Sequence, residues 1–220
     1  MRKLLAPLLS LLLLLPMTLS CATLDTTGLL EAAPDLILRS ATLNEVFFGE
    51  GIPFDRSVTE YGSYCPAELD FLEEHGFGTV AELRAATEKV FSEEYAALIA
   101  ETSLSGFPAA GSTGYVYARY ASSQAENLRD EQETILVYGE SEYLTYPIGK
   151  STYDMSTLRI DYVGADYAIV LLSVTTVTKD LPPEGEAPDP DAAPTYTTKT
   201  ADMEIKFVYE NGWRIDSPTY

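Results

Sequence analysis

Tyr167-Ala168-Ile169-Val170-Leu171-Leu172-Ser173-Val174-Thr175-Thr176-Val177-Thr178 is the longest strand pattern in the chain. β-Branched and apolar residues dominate it, Ile169, Leu171 and Ser173 alternate on towards Val177, and no helix signal interrupts it. Just before it, Leu158-Arg159-Ile160-Asp161-Tyr162-Val163 alternates as a half-buried strand does. Asp180 to Pro194 follows it, acidic and carrying five prolines, so no regular element forms there and a surface excursion is expected. Tyr196 to Tyr209 resumes the strand pattern. Glu210-Asn211-Gly212 is a tight turn, because Asn-Gly tolerates positive φ, and Trp213-Arg214-Ile215-Asp216 closes a hairpin. Upstream, Tyr115-Val116-Tyr117-Ala118-Arg119-Tyr120 has strand composition. Thr134 to Tyr138 and Tyr143 to Ile148 read as two short strands joined by Gly139-Glu140-Ser141-Glu142.

Before Ser105 the period changes to that of helices. Pro34 to Gly49 is the first, with Pro34 at a first helical position, Leu36, Leu43 and Phe47 on one stripe beside Val46, and Gly49 and Gly51 as the stop. Residues 50–78 are irregular, broken by Pro53, Gly62, Pro66, Gly76 and Gly78, with a helical turn over Ala67 to Glu74. Thr79-Val80-Ala81-Glu82 is a capping box opening a helix whose buried side is Val80, Leu83, Thr87, Val90 and Phe91. Ser92 caps another over Glu93 to Glu101, with acids in its first turn and Tyr95, Leu98 and Ile99 as its apolar face. Helices first and strands after them define an α+β fold: N-terminal helices packed on a curved antiparallel β-sheet, as one domain over residues 34–220.

The N-terminus carries an address. Met1-Arg2-Lys3 is a positive start, Leu4 to Leu15 a short apolar stretch, and Thr18-Leu19-Ser20-Cys21 the cut site, so residues 1–20 read as a secretory signal. The apolar run falls short of the roughly 20 residues that span a bilayer. Thr18-Leu19-Ser20-Cys21 resembles the bacterial lipobox, with Thr18 where leucine is usual. The resemblance implies that the Cys21 thiol takes a diacylglyceryl group, so that the partner at this end is a membrane and the chain is extracytoplasmic. Residues 21–33, small and polar, read as a flexible tether.

The chain has 14 Lys and Arg against 34 Asp and Glu, net −20. Arg2 and Lys3 lie in the signal, which has no acid, so the chain from Cys21 onward carries 12 bases against 34 acids, or −22. Such a chain does not hold nucleic acid by its phosphates. Anionic headgroups repel it, which argues for a domain standing off the membrane on its tether, and a basic partner would be steered in. Two cysteines are present; with Cys21 lipidated, Cys65 has no partner and reads as a buried apolar thiol.

Catalytic and metal signals are sparse. His75 is the single histidine, and no His/Cys cluster with metal-ligand spacing exists. A Cys65–His75 dyad is formally open, but nothing nearby orients the histidine, and a structural or surface role is expected. Gly111-Ser112-Thr113-Gly114 does not match a nucleophile elbow, and no glycine loop that cradles phosphate is present, so no catalytic residue, metal or cofactor is assigned. Acids in 184–191 lack calcium-loop spacing. Fifteen tyrosines, many on strand segments such as Tyr115, Tyr117, Tyr120, Tyr138, Tyr143, Tyr146, Tyr162 and Tyr167, suit either half-buried strand positions or a binding surface.

Helices followed by a meander closed by Gly212-Trp213-Arg214-Ile215-Asp216-Ser217-Pro218 resemble exported cystatin-like and nuclear-transport-factor-two-like domains. More narrowly, Thr79-Val80-Ala81-Glu82-Leu83 through Val90-Phe91-Ser92-Glu93-Glu94-Tyr95, with Phe47-Phe48-Gly49, resembles the DL-endopeptidase inhibitor (IseA-like) family. The likeness is tight over about two dozen residues and mainly structural, and the proline-rich 180–194 excursion departs from it. It implies a cystatin-like fold and a non-enzymatic partner of a cell-wall hydrolase, whose cleft such proteins occupy; no inhibitory residue transfers. Two other readings stand beside it. One is a small-ligand or enzymatic domain using the concave sheet face, for which Asp161 and Asp166 are candidates although alternation turns both to solvent. The other is a non-catalytic envelope-assembly lipoprotein.

Overall fold

The computed structural model describes residues 23–49, 51–104, 107–108, 115–116, 119–123, 134–139, 150–180, 193 and 195–220. The architecture is α+β. Its main sheet is an antiparallel meander of β6 (Lys150–Val163), β7 (Tyr167–Lys179), β8 (Tyr196–Tyr209) and β9 (Trp213–Ile215), in that spatial order. β7 is apolar on both faces, so alternation alone cannot orient it. Helix packing selects the even positions: Ala168, Val170, Leu172 and Val174 are buried, with Ile205 opposite Val170 and Phe207 opposite Ala168. Ile169 and Leu171 occupy the outward, half-exposed face.

β6 begins at Lys150, eight residues before the alternating stretch, and slips register between Asp154 and Arg159 and again between Ile160 and Tyr162. The first slip is pinned by side chains. Ser156 donates its amide (3.1 Å) and hydroxyl (2.6 Å) to the Asp154 carboxylate, and Ser173 N–H donates to Thr157 Oγ1 (2.8 Å). Bulges of this kind bend an edge strand. At the β8–β9 turn Asn211 (φ 55°) and Gly212 (φ 140°) adopt the positive φ their types favour.

Among the described residues four helices precede the strands or lie between them: α1 (Leu29–Phe48), α2 (Leu69–His75), α3 (Val80–Val90) and α4 (Glu93–Ser103). α1 starts five residues before Pro34, with Gly28 (φ 76°) as its N-cap. Pro34 therefore sits inside the helix, where it forfeits one backbone hydrogen bond. Burial of Leu29 and Ala33, both fully enclosed, offsets that loss. The expected tether over 21–33 is corrected accordingly. Leu24 packs partly buried against the core and donates its N–H to Gly164 O (3.0 Å), so the domain begins at Leu24.

Thr79 caps α3 by accepting the Glu82 N–H (3.1 Å), and Ser92 caps α4 by accepting the Tyr95 N–H (3.1 Å). α3 buries Val80, Leu83, Thr87 and Val90 as its spacing predicts. α4 turns Ala96, Ile99 and Ser103 inward and leaves Leu98 52% exposed, so its buried stripe is shifted from the expected Tyr95, Leu98 and Ile99.

The expectation of one sheet is also corrected. β5 (Ile135–Tyr138) pairs on one side with β4 (Tyr120–Ser122) and on the other with β1 (Tyr64–Pro66), inside the segment read as irregular, and β2 (Phe107–Pro108) pairs with β3 (Tyr115–Val116). A three-residue edge strand ending in proline has almost no local signature; partners some 70 positions away define it. The expected strand over 143–148 lies outside the described residues, as does nearly all of the 180–194 excursion. One apolar cluster joins α1, α3 and α4 to both the three- and four-stranded sheets, through Ile37, Phe47, Leu83, Ile99, Ile135, Val170 and Phe207 among others.

Candidate functional site

Cys21 lies outside the described residues. Cys65 is buried on β1; a side chain at Gly139 would come within 3.1 Å of its sulfur, so glycine there makes room for the thiol. His75 ends α2 as an exposed ring, stacked at 15° on Phe77 (centroids 5.7 Å) and tilted against Phe71 (4.5 Å). Cys65 and His75 thus have separate neighbours, and no hydrogen bond joins them. Asp161 and Asp166 are both exposed. No group of three His, Cys, Asp or Glu suited to a metal ion occurs among the described residues. Of the strand tyrosines, Tyr120 and Tyr138 are core residues, whereas Tyr162 is 51% exposed. Gly111 to Gly114 and the side chains of Tyr115, Tyr117, Tyr143 and Tyr146 are outside the described residues.

The inward sheet face is filled where the helices cross it, since Val170, Leu172, Ile205 and Phe207 are all fully buried. Open concavities lie instead along the helix margins. Two adjoin along the outer side of α1, with volumes of about 470 Å³ and 420 Å³, and share Thr42 and His75. The first has a floor of Leu43, Phe77, Ala86 and Val90 and a rim of Arg39, Lys89, Glu74 and Glu82. The second runs past Glu45 and Phe71 to Lys150, Tyr153 and Tyr220. Together they make a groove with an apolar floor, a mixed-charge rim and His75 at its middle, a composition suited to recognising side chains of a partner. A third cleft, about 690 Å³, separates α3 and α4 from the β8–β9 turn. Arg214 on its wall donates to Glu88 O (3.1 Å) and Trp213 O (2.8 Å), and Glu210 on the turn accepts the first amide of α4 from Glu93 (3.0 Å).

The groove rests on α1, and the C-terminal end of that helix is held by a clamp absent from any local motif. α1 has no base in its last turn. Gly49 N–H serves Asn44 O and Glu45 O locally, and the carbonyls beyond them find partners at a distance: Tyr120 OH serves Val46 O, and Arg119 serves Phe47 O (2.6 Å) and Gly49 O (2.8 Å). Such groups must be paired when buried, and a cation at a helix C-terminus also suits the helix dipole. Tyr120 OH in turn accepts the Ile52 N–H (3.1 Å). Burial raises the Tyr120 hydroxyl pKa, against smaller opposing effects of Arg119 and the Ile52 amide. Gly51 (φ 88°) passes so close that a Cβ there would meet Arg119 Nη2 at 2.7 Å and the Tyr120 hydroxyl at 2.8 Å. The only local trace is the Phe47-Phe48-Gly49 stretch with Gly51 two residues on.

The helix is also tied at its middle. Ser40 Oγ lies 2.8 Å from Thr219 Oγ1, Asn44 Nδ2 donates to the same hydroxyl (2.6 Å), and Tyr153 OH donates to Thr219 O (2.6 Å). Thr219 is fully buried. No protein-family model, curated protein or solved structure matches this chain.

Proposed function

We propose that the chain is an extracytoplasmic lipoprotein, anchored through Cys21, whose folded domain binds and restrains a peptidoglycan hydrolase of the DL-endopeptidase type. One observation carries the anchor: the lipobox-like Thr18-Leu19-Ser20-Cys21 ends three residues before Leu24, the first residue pinned to the domain. A binding role is supported by the groove along α1 at His75, by the net charge of −22 from Cys21 onward (12 bases, 34 acids), which steers a basic partner, and by the resemblance of the Thr79–Tyr95 stretch to inhibitors of that class. A small-ligand role is the second reading, favoured by the 690 Å³ cleft that carries Arg84 and Arg214 above Ala97 and Ala100.

Two measurements test the proposal. Cells fed an alkyne fatty acid should label the wild type and not Cys21→Ala, and the label should follow the membrane fraction. The purified domain should then slow peptidoglycan digestion by a DL-endopeptidase, less so as salt rises. Undiminished digestion at both low and moderate salt would remove the inhibitor reading.

A further inference from the structure

We infer that the domain does not stand off the membrane but docks on it by one end of its main sheet, and that the surface it presents there is aromatic. The inference rests on the proposed lipidation of Cys21. Three peptide steps separate Cys21 from Leu24, which limits their separation to about 11 Å. That is of the order of the interfacial layer itself, about 5–8 Å thick on each side of the hydrocarbon core. Leu24 is not a free spacer residue, because its amide is bonded to Gly164 O (3.0 Å) in the β6–β7 turn. The turn is therefore held at the headgroups with it.

Strand register identifies what else lies at that end. Val163 is opposite Ala168 and Tyr167 opposite Val208, so the β6–β7 turn and the end of β8 share it. Tyr162 is 51% exposed, with its ring 5.6 Å from that of Tyr167. Tyr209 is 58% exposed and packs edge-on at 5.4 Å against Trp213, which lies buried behind it (6% exposed) with its indole donating to Thr27 O (3.4 Å). Leu30, in the first turn of α1 beyond Thr27, is 45% exposed. Tyrosine pairs an apolar body with a polar tip and favours the membrane interface, where such a body is wetted on one side only, so Tyr162 and Tyr209 with Leu30 form the contact and Trp213 lies just beneath it.

Charge selects among membranes. Asp25, Glu31, Asp161 and Asp166 are exposed on the same elements, and Lys206 is committed to Asp216 (2.6 Å) and to the Tyr167 ring (5.3 Å). The occupant is thus a bilayer surface of uncharged, zwitterionic headgroups, met by aromatic and aliphatic contact. The opposite end, where Thr178 pairs with Thr197 and Lys179 with Tyr196, lies twelve residues along β7, about 40 Å away.

Trp213 is the sole tryptophan and a native reporter. The lipidated protein is reconstituted in phosphatidylcholine vesicles carrying headgroup nitroxide lipid, and flotation and Trp213 quenching are read together. Trp213 should be quenched several-fold more than the tryptophan of the variant Trp213→Phe/Thr198→Trp. Replacing Leu30, Tyr162 and Tyr209 by serine should leave flotation intact and reduce the quenching. Flotation with equal quenching at both ends overturns the docking and leaves the anchor standing. Failure to float overturns the anchor, and the docking with it. Hydrogen exchange on the lipidated wild-type protein gives a second reading if the double variant does not fold: amides at 164–167 and 210–213 should slow on vesicles while those at 196–200 do not, and uniform exchange overturns the docking.

Discussion

Tyr120→Phe deletes one oxygen from the clamp at the end of α1 and leaves the ring in place. Tyr120 is fully buried, and its hydroxyl serves both the Val46 carbonyl and the Ile52 amide (3.1 Å). Ile52 is itself 1% exposed, so water does not replace the lost partner. A buried group left unpaired costs about 1–3 kcal/mol, and two of them at about 1.5 kcal/mol each cost about 3 kcal/mol together. For a domain of this size that is about 6–12 °C in Tm. The assay is urea unfolding of the chain from residue 22 onward, followed by circular dichroism and by Trp213 fluorescence, whose transitions must coincide for the free energy to be meaningful. The midpoint should fall with no change in slope. Tyr209→Phe, at a ring 58% exposed, is the control and should leave the midpoint where it was. A loss for Tyr120→Phe below about 0.5 kcal/mol, the range of ordinary surface changes, would refute the claim that these carbonyls depend on Tyr120.

Gly51→Ala strains the same clamp from the other side, through positive φ and contacts of 2.7 and 2.8 Å, and should destabilise by about 1–3 kcal/mol in the same titration; a neutral result would show that the segment relaxes freely. Thr219→Val keeps the shape but removes the hydroxyl shared by Ser40 and Asn44, and should cost about 1–3 kcal/mol, with Ser40→Ala/Thr219→Val less than additive. Ser92→Ala removes the α4 cap and the hydroxyl bonded to Asp216, and should cost about 1–2 kcal/mol. Burial raises the hydroxyl pKa of Tyr64, Tyr95, Tyr120 and Tyr153. The unfolded chain loses these protons near about pH 10 while the folded chain retains them, so their contribution is complete below that pH and is lost as pH rises towards the folded values. Lys206, raised chiefly by its hydrogen bond to Asp216, acts in the same direction. The urea midpoint should thus fall above about pH 10, with part of the tyrosinate absorbance appearing only on unfolding; absorbance complete before unfolding would contradict the assignment.

The candidate site was only partly legible. His75 is visible as the single histidine, expected in a structural or surface role, and the structure places it exposed; the groove it centres is not a motif. The groove needs Arg39 and Thr42 from α1, Phe77 after α2 and Lys89 from α3, residues spread over some 50 positions and joined only by packing. Leu98 was misplaced because α4 offers apolar residues on two faces, and only contact with its neighbours determines which is covered.

Sequence by itself determined what nearest neighbours in the chain can enforce. Thr79 and Ser92 cap helices because their hydroxyls reach amides three residues on. Asn211-Gly212 turns because those residues accept positive φ, and the order of helices before strands specifies the α+β class. Tertiary structure decided what depends on distant partners. It chose the inward face of β7, made a strand of Tyr64–Pro66, drew Leu24 and Leu29 out of a presumed tether, and brought Arg119 and Tyr120 to carbonyls some 70 residues away. The physical reason is the same in each case. Burial free energy and the pairing of buried polar groups are properties of the assembled interior, and no local window of residues contains them.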